Sequence, residues 1–332
     1  MNEVAPGESQ GETIRLRSGV QRVKRAGSHH LLVPPDGPPV RVGAAIDDDL
    51  WGLLVKGARF DDIVVLLQEA HPGSREIRPK LSEFLQQLGR SGLLEGALPA
   101  QRQPTPLVAW EVPPLLQSSA SPRGRLATIL PYGGLIAMAV AGALGYCVLL
   151  ARGARAWLSV PTLFNLLVAL TLLILLHELG HAVAAQLAGT RLGRIGIRRG
   201  FLPLPFVETP DVYLINSRLK RFSIAAGGPV SDLVFGGAAA WALLGDETKS
   251  PLLSTIASVG LILFSLGTSP LRQGDGSHML EALLNDDLAR KSALSTTPAR
   301  LSRARDVALY RGACVAHVLL WLVILGVVLT GR

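Results

Sequence analysis

The sequence predicts two parts: a small α+β domain near the N-terminus and a C-terminal polytopic α-helical membrane domain of about five spans with a short β insertion. The 332 residues are 48% hydrophobic and only 17% charged, with a mean hydropathy of +0.35. This composition is too apolar for an ordinary soluble protein and too mixed for a chain that is all membrane. Every apolar stretch of near-spanning length lies after residue 126. Short strand-like and helix-like segments with turn signals lie before residue 97.

The N-terminal domain is predicted over residues 12–96. Residues 1–11 are polar and expected to be disordered, and the first 30 residues contain no hydrophobic signal-peptide core. Apolar spacing and turn residues predict four short strands followed by three helices. The predicted strands are Ile14–Arg17, Gln21–Arg25, His30–Val33 and Val40–Val42, and the predicted helices are Asp47–Val55, Phe60–Glu69 and Arg75–Leu88.

Two helical patterns in this domain suggest a family. The first is D-x-x-x-W-x-L-L-x-x-G from Asp47 to Gly57, and the second is F-L-x-x-L-x-x-x-G-L-L from Phe84 to Leu94. Together with the preceding hairpin they resemble a PqqD-like domain, a winged-helix-like module that binds leader peptides of ribosomally made, modified peptides. The resemblance implies a leader segment bound as an added strand beside the third helix. The alternative is a generic winged helix used for dimerisation or DNA binding. Because no helix is dense in Lys and Arg, we expect no nucleic-acid partner.

A linker rich in Pro, Gln and Ser is predicted over residues 97–126, and its Trp110 is a candidate for contact with the membrane surface. The predicted spans follow at about 127–151, 158–187, 222–244, 252–266 and 313–330. Basic residues concentrate between spans two and three and between spans four and five. The positive-inside rule therefore predicts a multi-pass protein of the cytoplasmic membrane whose N-terminal domain is cytoplasmic and whose C-terminus is outside.

The second apolar stretch contains the pattern H-E-x-x-H as His177, Glu178 and His181. On a helix the two histidines lie on one face, where both rings can bind the same Zn²⁺ ion. Glu178 follows the first histidine and can act as a general base towards water. No charged residue occurs from 156 to 176, so polar groups here are costly unless they serve a function. The pattern indicates an intramembrane metal site; the alternative is a buried polar cluster that only hydrogen-bonds neighbouring helices.

A catalytic zinc ion needs three protein ligands and one open position, so one more ligand must exist. Asp275 lies in a Gly-Asp-Gly turn after the fourth apolar stretch. It is the best candidate because the predicted topology puts it on the same cytoplasmic side as the histidines. Asp232, near the start of the third stretch, is the competitor, and His278 is a weaker third choice.

Three pieces of the sequence together resemble the site-2-protease-type intramembrane metallopeptidases. That family has an apolar H-E-x-x-H helix, an A-G-P-x-x-N element and a late P-x-x-x-x-D-G. The corresponding pieces here begin at His177, at Gly227-Gly228-Pro229 and at Pro270. The resemblance covers about residues 127–330. It implies zinc as the cofactor, Glu178 as general base, and three zinc ligands: His177, His181 and Asp275.

One departure from the family concerns its second element, where Asp232 stands in place of the asparagine. Pro229 and Asp232 are candidates for orienting the substrate. An ionised carboxylate cannot donate a hydrogen bond, so Asp232 is either protonated beside the metal, a further ligand, or an orienting group.

The β insertion is predicted from alternating residues at 195–197, 203–207 and 211–215. In the resembled family this region forms a sheet, and an unwound substrate can pair with its edge; a plain cytoplasmic loop is the alternative. The sequence predicts an intramembrane zinc endopeptidase that matures a ribosomally made peptide and binds its leader through the N-terminal domain. The alternatives are a regulatory protease acting on a membrane-anchored regulator and a non-catalytic scaffold or export partner.

Overall fold

A computed structural model describes residues 13–24, 29–34, 40–43, 48–70, 76–96, 107–112, 125–152, 161–198, 204–245, 250–295 and 302–330. The chain forms two compact units, Met1–Thr105 and Pro106–Arg332. The predicted disorder of residues 1–11 lies outside the described residues.

The N-terminal unit combines small antiparallel sheets with three helices. Strands β1 (Thr13–Ile14), β2 (Gln21–Lys24), β3 (His29–Val33) and β4 (Val40–Gly43) come first. Helix α1 (Asp48–Lys56), strand β5 (Ala58–Arg59), helix α2 (Phe60–Ala70) and helix α3 (Ile77–Arg90) follow. β1 pairs with β5, and the other strands form the order β2-β3-β4. One core joins sheet and helices, because Leu32, Leu54, Ile63, Leu85 and Leu88 are all buried in it. The strands β2 to β4 and the three helices match their predicted positions to within two residues.

The second unit is mainly helical. Its helices are α4 (Arg125–Ala151), α5 (Leu163–Ala188), α6 (Arg218–Gly245), α7 (Pro251–Thr268), α8 (Asp275–Leu284), α9 (Ala289–Leu294) and α10 (Ala304–Thr330). Within the described residues, four segments are long and apolar enough to cross a membrane: Gly133–Ala151, Leu163–Ala188, Pro251–Thr268 and Ala304–Ile324.

The third predicted span, at about 222–244, lies within α6, which has the length of a span but is not among these four, so the number of about five spans stays a prediction. α6 packs against α4, α5, α7 and α8. Its buried side consists largely of small or polar residues, including Ser231 and Asp232. A helix enclosed by protein does not need the apolar surface of a lipid-facing helix. The last predicted span lies within α10, a helix that begins nine residues earlier, at Ala304.

Glycines allow α6 to lie close to its neighbours. A side chain at Gly237 would overlap the backbone of Gly142 on α4, and one at Gly227 would overlap the backbone of Gly180 on α5. Small residues at such contacts let helix backbones approach closely within a membrane. This packing brings α6 within reach of the polar face of α5.

A three-stranded antiparallel sheet lies beside these helices, with β6 (Val108–Glu111), β7 (Arg194–Arg198) and β8 (Leu204–Val207) in that order. The predicted β insertion is present as β7 and β8. Two expectations were wrong in detail. The linker contributes β6, in which Trp110 lies opposite Ile195. Residues predicted as a third strand instead form a short 3₁₀ helix, Pro210–Leu214, because a proline in the first turn suits a helical start.

Candidate metal centre

Helix α5 carries the H-E-x-x-H pattern, and both ends of the helix are capped. The Thr162 hydroxyl accepts the N–H of Asn165 at 3.2 Å, and Gly189 ends the helix in the left-handed conformation with φ 79°. Between these caps the run is continuous, so His177 and His181 lie one turn apart on the same face. Their ring centroids are 4.9 Å apart.

Asp275 reaches these rings from the first residue of α8. The glycine that follows it explains the approach, since a side chain at Gly276 would overlap the backbone of Thr268 at the end of α7. The N-terminus of α8 can therefore pack directly on the end of α7. The buried Arg221 of α6 also contacts Asp287, after α8, at 3.4 Å. These contacts fix the position of α8 against α6 and α7, and with it the position of Asp275.

Three side chains converge at the centre. The Nε2 atoms of His177 and His181 are 3.3 Å apart. An oxygen of Asp275 lies 3.1 Å from Nε2 of His177, and the other lies 3.5 Å from Nε2 of His181. Atoms bound to one tetrahedral Zn²⁺ at about 2.0–2.1 Å stand ~3.3 Å apart. The three side chains have the spacing of ligands to a single ion, and their lone pairs would repel one another without a cation among them.

The other ring nitrogen of each histidine is held by a hydrogen-bond acceptor. Nδ1 of His177 lies 2.8 Å from Oδ2 of Asp232, and Nδ1 of His181 lies 2.7 Å from the carbonyl oxygen of Ile224. Both acceptors favour a proton on Nδ1, which leaves the Nε2 lone pairs directed at the centre. This is the arrangement expected of histidines that bind a metal through Nε2.

Gly228 provides the space in which the two rings meet. A side chain at this position would overlap Nε2 of both His177 and His181. The backbone of α6 therefore borders the centre directly. The glycine of the Gly-Gly-Pro element is required here by the approach of the rings, because a side chain would overlap both of them.

The remaining predicted residues lie around this centre in different positions. Asp232 is completely buried and contacts the Nδ1 side of His177, away from the converging Nε2 atoms. The structure thus brings Asp275, and not its competitor Asp232, to the two Nε2 atoms. His278 lines the adjoining cavity but is not one of the three converging residues. Pro229 lies inside α6, with its ring near Gly267 of α7. Since Pro229 has no N–H, it donates no helical hydrogen bond to the carbonyl of Ala225.

A cavity of about 430 Å³ adjoins the centre and is large enough for a peptide segment. Glu178, His181 and Asp275 line one part of it, and residues of β8 line another. Oε2 of Glu178 accepts the backbone N–H of Val207 at 3.0 Å. The general-base candidate therefore stands between the converging ligands and the nearest strand.

The contacts of Asp275 and His278, both on α8, shift the pKa values of these two side chains. Burial raises the pKa of Asp275, but contacts with the rings of His177 and His181 outweigh burial and hold this pKa well below its usual range while those rings carry their Nε2 protons. The contact with Glu281 raises the pKa of His278, and burial opposes it. Asp275 is therefore ionised and suited to bind a cation.

Three features were not predicted from the sequence: the strand β6, which lies outside the site, and two groups in the site, the carbonyl of Ile224 and the N–H of Val207. A backbone group leaves no signal in a residue pattern, so the last two could not be read from the sequence. β6 had a weak signal in the alternation of Val108 and Trp110, but prolines on both sides obscured it.

The centre combines a His-Glu-His helix with a carboxylate from a distant helix. The model of Peptidase family M50, a family of zinc metalloproteases, matches residues 165–257. The match includes the H-E-x-x-H helix and Asp232 but ends before Asp275. No curated protein and no solved structure matches the chain. Together with the four apolar helices, the match supports a multi-pass membrane metallopeptidase of the site-2-protease type.

Proposed function

We propose that the protein is an intramembrane zinc endopeptidase that cleaves a peptide precursor during maturation of a ribosomally made, modified peptide. The observation that carries the catalytic part is the convergence of His177, His181 and Asp275 beside Glu178. The three converging residues offer one open side towards the cavity, as a catalytic zinc site requires. A purely structural polar cluster would not need a carboxylate base at that open side.

In this proposal the three converging residues would bind the zinc ion, and Glu178 acts as the general base and then as the general acid. Bound zinc would polarise the scissile carbonyl and lower the pKa of the attacking water. The carboxylate of Glu178 takes a proton from that water and later gives it to the leaving amine nitrogen. Asp232 and the carbonyl of Ile224 keep the two imidazole rings oriented throughout.

The sheet offers a way to present the peptide bond. A helical peptide bond is inaccessible to attack, so the substrate has to be extended at the site. β6 covers one side of β7, while β8 borders the cavity. We propose that the substrate adds as a strand to β8, which would place its backbone next to Glu178.

Asp232 is assigned an orienting role, and substitution can test it. Asp232→Ala should weaken zinc affinity about 10- to 100-fold, because Nδ1 of His177 loses its acceptor. Asp232→Asn is the matched control, since its amide oxygen can still accept from Nδ1 and the loss should be much smaller. Competition with a chromophoric chelator measures both affinities. Equal zinc affinity of the alanine and asparagine variants would count against this role.

The N-terminal unit is proposed to bind the leader of the precursor on the cytoplasmic side. Its small sheet and three helices suit the PqqD-like resemblance, and the arginine-rich loops support the cytoplasmic orientation. A recognition module on the same chain raises the local concentration of substrate at the protease site, so its own affinity can be modest.

Removal of residues 1–105, which end before β6, tests the function as a whole. For a precursor that carries its leader, the truncated protein should have a higher KM than the full chain. For the same precursor without its leader, the two proteins should have the same KM. Initial-rate kinetics in detergent micelles measure both substrates. If truncation changes KM equally for the two precursors, the N-terminal unit does not bind the leader. If the full chain cleaves neither precursor, these peptides are not its substrates.

The family match also supports a second function, because members of that family act in regulated intramembrane proteolysis. In that case the substrate is a membrane-anchored regulator, and the N-terminal unit has another partner. Cleavage of a single-span regulator with no preference for leader-bearing precursors would favour this function.

A further inference from the structure

The outer edge of β8 is defined here as the side of the strand that faces away from β7. Residues of an antiparallel strand alternate between facing their partner and facing away. Glu208, just after the strand, donates its N–H to the carbonyl of Arg194 at 2.8 Å, so Phe206 also faces β7. Pro205 and Val207 therefore direct their backbone groups to the outer edge.

This outer edge has a single N–H donor within Leu204–Val207. Pro205 has no N–H, and prolines occur on edge strands for this reason. The remaining donor is the N–H of Val207, and it is bonded to Oε2 of Glu178 at 3.0 Å. The donor that an added strand would use is thus the same group that holds the proposed base.

We propose that the Val207 N–H is a positioning group shared between the base and the substrate. Without substrate it holds the carboxylate of Glu178 against β8. A substrate strand takes over this N–H with one of its own carbonyl groups, and Glu178 is released to face the attacking water. The inference depends on the proposed function, because it requires both strand addition at β8 and a basic role for Glu178.

The two uses of the N–H exclude each other. One N–H forms one well-aligned hydrogen bond, and a ladder bond to the substrate needs the direction that Glu178 now occupies. The bond to a carboxylate is charge-assisted and stronger than one to a neutral carbonyl, so Glu178 competes effectively. Substrate pairing is therefore weaker than the edge alone would allow, and base release occurs only after the strand has bound.

A double-mutant cycle on the zinc-loaded full chain tests this competition. The probes are a Val-Thr-Val-Thr-Leu hydroxamate, which can pair as a strand, and acetohydroxamate, which cannot. The measured quantity is the ratio of their dissociation constants, which cancels any effect of a variant on hydroxamate binding itself. Glu178→Ala should increase the preference for the peptide probe about two- to tenfold, the value of one hydrogen bond.

Val207→Pro should lower the preference for the peptide probe, because the edge then has no N–H donor. In this background Glu178→Ala should no longer change the preference. Val207→Ala keeps the N–H, so the gain from Glu178→Ala must persist there. Pro205→Val adds a second N–H donor to the outer edge and serves as another background if Val207→Pro does not fold. In this background too, Glu178→Ala must increase the preference for the peptide probe. The proposal is overturned if Glu178→Ala produces no gain in the Val207→Ala and Pro205→Val backgrounds, or the same gain with and without the Val207 N–H.

The same data separate this inference from the proposed function. Failure of strand addition would appear as a preference for the peptide probe that Val207→Pro leaves unchanged. A preference that Val207→Pro lowers, but that Glu178→Ala never raises, leaves strand addition intact and removes only the sharing of the N–H.

Discussion

Replacing Glu178 with glutamine should reduce kcat for peptide cleavage by about 10²- to 10⁴-fold, the usual contribution of a general base. Glutamine has nearly the same shape but cannot take a proton from water. Its amide oxygen can still accept the N–H of Val207, so the contact seen at Oε2 need not be lost. The loss should therefore arise in the chemical step and leave KM largely unchanged.

Zinc content is the control for this variant. Glu178 is not one of the three converging residues, so Glu178→Gln should purify with as much zinc as the wild type. Quantification by atomic absorption, alongside single-turnover cleavage, separates loss of the base from loss of the metal. A variant that keeps its zinc and still cleaves at the wild-type rate would show that Glu178 is not the base.

Replacing Asp275 with alanine should abolish stoichiometric zinc binding and reduce cleavage to the uncatalysed level. The two histidines would remain, but a catalytic zinc site needs three protein ligands. The variant would also leave the Nε2 atoms of His177 and His181 without the carboxylate that now contacts both. Equilibrium dialysis against buffered zinc gives the change in affinity directly.

His278→Ala is the matched control for Asp275→Ala. His278 lies on the same helix, three residues later, and lines the same cavity, yet it is not among the converging residues. It should keep its zinc. If His278→Ala loses zinc while Asp275→Ala retains it, the third ligand has been assigned to the wrong residue of α8.

Much of this arrangement could be predicted from the sequence because its signals are local. The membrane helices appear as long apolar runs, and the four-residue spacing puts His177 and His181 on one helix face. Strands β2 to β4 and the three N-terminal helices could be placed for the same reason, since turns and apolar spacing marked their limits.

The features that could not be predicted depend on contacts between distant segments. The role of Asp232 was open because its partner, Nδ1 of His177, is 55 residues away in the sequence. The enclosure of α6 by its neighbouring helices could not be predicted, since it cannot be read from the residues of α6 alone. β6 was assigned to a linker because a four-residue strand depends on its partner β7 for stability.

The central claim is that His177, His181 and Asp275 hold one zinc ion within the membrane domain. X-ray absorption at the zinc edge of the purified full chain tests it most directly. The account predicts one zinc per chain with two imidazole ligands and additional oxygen ligands at about 2.0–2.2 Å, and a changed spectrum or lost metal in Asp275→Ala. A protein without zinc, or a zinc spectrum unaffected by Asp275→Ala, would contradict it.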